Sequence, residues 1–228
     1  MEIFMERVVN RIYKMRFEKK YIIDLSQLNK LRSAIISSKS FRINHAPQIV
    51  NNLYYDNNIY KAVHENLLGI SNRIKYRIRW YGNDQKIKAK FEKKCRKDMG
   101  NFKEGNNQIL LDENPWNVKV SDLPNLSEMN KLSALKIKNV NHFSPAVLNR
   151  YKREYYINKI GDRLTIDRDI IYRNCRNGIT KNDSNIVVEL KYNSEKINDG
   201  LIDFFNLTIS KNSKYVNGIF STTNFVFE

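Results

Sequence analysis

RIKYRIRWYG, residues 73–82, sets Lys75, Arg77 and Arg79 at every second position. In a strand, alternate side chains leave the same face. The three cations then stand in a row about 6.6 Å apart, at ~3.3 Å rise per residue. At an effective dielectric of about 20, each neighbouring pair repels by roughly 2–3 kcal/mol. Ile74, Tyr76, Ile78 and Trp80 fill the opposite face. The row is tolerable if it lines a wet tunnel, and useful if the tunnel holds an anionic chain.

The pattern recurs along the chain. Lys86, Lys88, Lys90, Glu92 and Lys94 share one face of the next segment, and Arg153 sits among Tyr151, Tyr155 and Tyr156. Arg163, Thr165 and Asp167 share a third face. Glu18-x-Lys20, Glu92-x-Lys94 and Glu189-x-Lys191 each place a carboxylate and an ammonium on the same side of a strand. Carboxylates suit Mg²⁺ or Mn²⁺, and Arg and Lys suit phosphate oxygens. A half-exposed antiparallel strand shows the same alternation, so one strand alone carries little. Repetition in a chain of formal charge +16 carries more.

Period-two segments cover 16–23, 50–56, 73–81, 85–94, 104–111, 149–157, 162–172 and 185–192. Gly82-Asn83-Asp84 joins two of them directly and implies antiparallel pairing. Helical spacing marks 26–37 and 127–138, each after a serine, and also 199–209. Composition and pattern predict an α+β fold built on an antiparallel sheet or barrel of about eight strands. No linker divides the chain, so one domain over 1–228 is expected. The two cysteines, Cys95 and Cys175, show no metal or disulfide spacing. No apolar run reaches the ~18 residues of a membrane helix, and 1–14 lack a signal peptide's apolar core. These features predict a cytoplasmic protein. His45, His64 and His142 have no ligand spacing, and Trp80 and Tyr81 read as packing outside the tunnel. Lys19, Lys93, Arg96 and Lys97 are expected to face solvent.

The segments RFEKKYII (16–23), NNLYYDN (51–57), KYRIRWYG (75–82), FEKKCRK (91–97), NRYKREYY (149–156), DRLTIDRDI (162–170), IVVELKY (186–192) and SKY (213–215) occur in one order. In that combination the chain resembles the catalytic, polyphosphate polymerase domain of the vacuolar transporter chaperone (VTC) family. That family lies within the CYTH-like triphosphate tunnel metalloenzymes. The resemblance implies a closed antiparallel β-barrel with flanking helices and a basic inner face. It implies phosphate contacts from Lys20, Lys75, Arg77, Arg79, Lys94, Arg153, Arg163, Lys191, Ser213 and Lys214. Among these, Arg77, Arg79, Arg153, Arg163 and Lys214 would serve the transfer itself. Glu189 would hold Mn²⁺ or Mg²⁺, with Glu18 and Glu92 as further metal partners. Lys103 is a further candidate in a loop that aligns poorly.

The implied activity moves the ATP γ-phosphate onto a growing polyphosphate chain. Hydrolysis of a triphosphate in the same tunnel is the alternative, and a domain that only binds polyphosphate or nucleic acid is a third. Carboxylates in phase with the cations argue against nucleic acid, which they would repel. Hydrolytic relatives open with Glu-x-Glu-x-Lys, whereas Arg16 stands at the first glutamate position here. That departure favours the polymerase-like branch. A second departure from the family is that residues 1–228 carry no membrane segment and no separate N-terminal regulatory domain, so coupled translocation by these residues alone is not expected, and a separate membrane partner stays open.

Overall fold

The structure, a computed structural model, describes residues 17–97, 100–133, 137–192 and 207–224, and within 97–107 the backbone alone. Among the described residues, nine strands form one antiparallel sheet. They are β1 Phe17–Ile23, β2 Phe41–Asp56, β3 Arg73–Tyr81, β4 Ile87–Lys97, β5 Gly100–Leu111, β6 Ser144–Asn158, β7 Arg163–Asn174, β8 Thr180–Asp183 and β9 Ile186–Tyr192. The order is β1-β9-β7-β6-β2-β3-β4-β5, with β8 paired to β7. The predicted strands are all present, several of them longer than expected. The expected closed barrel is met only in part. The sheet curls until β1 and β4 face one cavity, but no pairing joins β1 to β5 among the described residues.

Helix α1 spans Leu25–Ser38, α2 Lys61–Leu67, α3 Leu126–Leu132 and α4 Lys214–Thr222. Helix α1 starts before the serine expected to cap it. Asp24 accepts from the Gln27 amide at 2.7 Å, and the Gln27 side chain accepts from the Asp24 amide at 3.0 Å. This capping box satisfies two amides reciprocally, which a lone serine does not. Asn125 and Glu128 do the same for α3. The end of the predicted helix over 127–138 includes 134–136, outside the described residues. Most of the predicted 199–209 helix also lies outside them, and Ile209 at its end bridges to Tyr21.

The strands pack helices on their outer face. Leu28, Leu31 and Ile35 of α1 cover Ile166, Val188 and Leu190. Trp80, Ile78 and Phe91 join Leu126 and Met129 of α3 in a second cluster. Trp80 is thus packing outside the cavity, as expected, while Tyr81 is exposed. Inside the curl, Val216 and Ile219 of α4 pack on Val147, Ile170 and Tyr172. Gly218 makes that approach possible, because a Cβ there would sit 2.8 Å from Tyr172 Cδ1. A register shift in the β6–β7 ladder, where Asp169 adopts φ 55°, flips the phase of β7. Asp167 before the bulge and Ile170 and Tyr172 after it therefore share the inner face. The inside of the sheet is part apolar core under α4 and part polar cavity.

No helix among the described residues is long and apolar enough to cross a membrane.

Candidate functional site

Among the described residues, eight cationic side chains and two carboxylates line the polar part of the interior. β3 supplies the opening row, Lys75, Arg77 and Arg79; β1 supplies Glu18 and Lys20, and β4 Lys94. β6 adds Tyr151 and Arg153, β9 adds Glu189 and Lys191, and the start of α4 adds Ser213 and Lys214. Strand pairing explains the match of phases. Lys20 lies opposite Glu189 and Glu18 opposite Lys191, so both Glu-x-Lys elements point inward together.

The cations fall into two groups. Some are held by carboxylates or amides. Glu92 accepts from Arg77 Nε at 2.7 Å and lies 2.6 Å from its Nη2, and Asn52 accepts from Arg79 Nε at 2.7 Å. Tyr54 and Tyr151 accept from the same two guanidiniums at 3.2 and 3.4 Å. Lys20 lies 2.8 Å from Glu18 and donates to the Asn212 carbonyl at 3.0 Å. Lys75 and Lys94 form the other group. Burial first, then each other's charge, pushes Lys75 down to about 7. Burial and the charges of Lys20 and Arg77 push Lys94 down to about 8, although Glu18 works the other way.

Asp167 is the buried anchor of the site. It is fully buried in β7, accepts from Arg153 Nε and Nη2 at 2.5 and 2.7 Å, and accepts from Lys214 Nζ at 2.6 Å. Burial works to raise its pKa, but the two cations outweigh it and hold it below the ordinary value. One carboxylate thus fixes a wall arginine and the first residue of α4. Its phase with Arg163 and Thr165 was legible in the sequence. Its burial against two cations was not, because one partner comes from a helix absent from the sequence pattern.

The other predicted residues separate cleanly. Lys20, Lys75, Arg77, Arg79, Lys94, Arg153, Lys191, Ser213 and Lys214 meet at the cavity. Arg163 does not: it shares the inward phase with Lys191, but at the exposed start of β7, outside the lining. Glu92 is Arg77's partner rather than an open carboxylate. The side chains of Lys103 and Lys97 lie outside the described residues, as does Arg16. Arg96 is exposed as expected, while Lys19 and Lys93 are half-buried. Tyr54, Tyr151 and Asn212 were not singled out from sequence, since nothing local distinguishes them from structural residues.

Among the described residues, Glu18 and Glu189 are the cavity carboxylates that could hold a cation. Burial works to raise Glu189, but Lys191, Lys20 and Arg153 hold it well below the ordinary value. Lys191 lies 2.5 Å from Glu189 and 3.9 Å from Glu18. No group of three His, Cys, Asp or Glu able to hold a metal occurs among the described residues. Two ionised carboxylates with an anion beside them fit Mg²⁺-type binding, in which one or two carboxylates share the ion with phosphates and water. They do not make an all-protein metal cage.

One family profile, described as VTC domain, matches residues 15–223. Among solved structures, the chain is similar to the adenylyl cyclase candidate HpAC1 from Hippeastrum, described with a dominant triphosphatase activity. The TM-score is 0.52 at 15% identity, over 92% of this chain and 97% of that one. An adenylate cyclase candidate from Vibrio parahaemolyticus aligns with TM-score 0.48 at 10% identity, over 91% of this chain and 98% of that one. No curated protein matches by sequence.

Proposed function

The chain belongs to the VTC domain family, and on that premise we propose that it transfers the γ-phosphoryl group of ATP to the end of a polyphosphate chain. We take 1–228 as a single cytoplasmic tunnel domain. The observation that carries the reading is the cavity wall, eight cations around two inward carboxylates. Such a wall is self-repelling without a polyanion. Burial first, and then the charge of neighbouring cations, lowers the pKa values of Lys75 and Lys94, so an anion beside them would be favoured.

Phosphoryl transfer needs charge neutralisation and in-line positioning more than a covalent nucleophile. Arg77, Arg79 and Arg153 hold the phosphoryl oxygens and spread the charge that builds between donor and acceptor. Glu92, Asn52 and Asp167 fix those guanidiniums in advance. Lys20, Lys94 and Lys191 carry the remaining phosphates, and Ser213 and Lys214 approach from α4. Arg163 is retained only as an outer contact for a chain passing the rim. Glu18 and Glu189 would hold Mn²⁺ or Mg²⁺, which supplies Lewis-acid neutralisation of phosphate oxygens when bound. An oxygen of the acceptor's terminal phosphate forms the new bond to the γ-phosphorus. The bond from that phosphorus to the β,γ-bridging oxygen breaks, and ADP leaves.

Water in the acceptor's place gives a triphosphatase. The fold shared with HpAC1, described with that activity, favours keeping this second reading. Arg16, where hydrolytic relatives carry a glutamate, supports transfer. The test is purified protein with ATP and Mn²⁺, scoring ADP, free phosphate and acid-insoluble polymer together. ADP matched by polymer is the expected result. Free phosphate without polymer replaces transfer by hydrolysis, and neither product in protein that binds triphosphate leaves a binding domain.

A further inference from the structure

The inward faces of β3 and β6 change in the same way. Along β3 the inward positions read Lys75, Arg77, Arg79 and then Tyr81; along β6, Arg153 is followed by Tyr155. The intervening Trp80, Glu154 and Tyr156 face outward, Trp80 against α3 and Glu154 against Arg32 of α1. Tyr81 therefore lies beyond Arg79, and Tyr155 beyond Arg153, each on the inward face of its own strand. Between them runs β2, which places Val50 opposite both Tyr81 and Tyr151, and Gln48 opposite Arg153.

Tyr155 is held in place. Its hydroxyl donates to Gln48 Oε1 at 3.3 Å, and the His45 ring meets it edge-on with centroids 4.9 Å apart. Tyr81 is 42% exposed, although it sits in phase with buried and half-buried cations. A cation at either position would extend the phosphate track. A tyrosine instead offers a flat face and no charge. Each strand changes from guanidinium to phenol at the next inward position, where an uncharged, flat part of a ligand can follow its phosphates.

We infer that Tyr81, Tyr155 and Gln48 form a nucleobase subsite, which selects a nucleoside triphosphate over inorganic triphosphate. The phosphates lie on Arg79 and Arg153, and the base stacks on the tyrosine faces, a contact that any base can make. Gln48 lies within reach of the base edge. The inference rests on the triphosphate reading of the cavity.

The experiment measures binding of ATP and of tripolyphosphate by calorimetry at one fixed ionic strength. The proteins are wild type, Tyr81→Ala, Tyr155→Leu, Tyr155→Phe and Arg77→Ala. Tyr81→Ala and Tyr155→Leu are each expected to weaken ATP roughly tenfold and to leave tripolyphosphate unchanged, which also shows that the fold is intact. Tyr155→Phe keeps the ring and should stay near wild type for both. Arg77→Ala should weaken both ligands together. Equal losses of ATP and tripolyphosphate in the tyrosine variants, or no loss of ATP, overturn the subsite while leaving the cavity reading standing. Wild type that binds neither ligand overturns both.

Discussion

Asp167 of β7 grips Arg153 of β6 by two parallel hydrogen bonds, 2.5 Å to Nε and 2.7 Å to Nη2, with the carboxylate wholly out of water. The pair is cross-strand and directly opposed in register. The fork geometry leaves the guanidinium no freedom to swing. Lys214 shares the same carboxylate, so the cavity wall and α4 are tied at one point.

Asp167→Ala leaves two buried cations without their counter-charge. Removing one partner of such a buried pair costs about 3–5 kcal/mol, read as a lower midpoint in urea. Tripolyphosphate should recover more stability in the variant than in wild type, because it supplies the missing negative charge. A loss below about 1 kcal/mol, within the range of exposed pairs, removes Asp167 as the anchor.

Binding should draw protons from solution. Lysines of the unfolded chain titrate near 10.4, whereas Lys75 and Lys94 titrate at about 7 and about 8 in the folded protein. Above the unfolded pKa both states are neutral and the pair costs nothing. As pH falls the folded protein resists protonation, so the ligand-free protein loses stability until the penalty is complete below about 7. An anion beside these lysines reverses the resistance. Titration with ATP at pH 8 in buffers of differing ionisation enthalpy should show net proton uptake, smaller in Lys75→Met. No buffer dependence contradicts the lysine assignment.

Gly218→Ala should loosen α4. The added methyl would lie 2.8 Å from Tyr172 Cδ1 and 3.0 Å from Val147 Cγ2, both in a packed core. Overpacking of this kind costs about 1–3 kcal/mol. Because α4 begins at Ser213 and Lys214, affinity for triphosphate should fall together with the melting temperature. A stability loss with unchanged affinity would separate the helix from the site.

Chelation should stop turnover without unfolding the protein. Glu18 and Glu189 are neutralised by Lys20 and Lys191 at 2.8 and 2.5 Å whether or not a metal is present. EDTA is therefore expected to abolish product and leave the melting temperature in place. A large drop in melting temperature would show a structural ion instead.

Glu154 provides a control on the other face. Arg32 and Arg168 both contact it, and Tyr156 donates to it at 2.9 Å. Burial works to raise its pKa, but these donors hold it lowered. Its contribution to stability is present above the unfolded value of about 4.3 and is lost as pH falls through the lower folded value. Glu154→Gln should reduce stability at neutral pH and spare ATP turnover, measured as kcat and KM.

The strands and their inward phase were determined by the sequence alone. Alternation in 73–81, 149–157 and 185–192 needs nothing beyond the two-residue period of a strand. That period assigned Lys20, Arg77, Arg79, Arg153, Glu189 and Lys191 to one wall before any strand was paired. Tertiary structure decided what the period cannot carry. Arg163 and Arg153 have the same phase, yet the height of each along its strand makes one exposed and the other buried. The phase flip at Asp169 arises from a bulge, which one extra residue creates only against a partner strand. Helix α4 is short, and most of its stability comes from packing inside the curl rather than from propensity. Asp167 became the anchor of the site for the same reason. A carboxylate's role is set by which cations surround it once water is gone, and those cations arrive from strands and a helix distant in sequence.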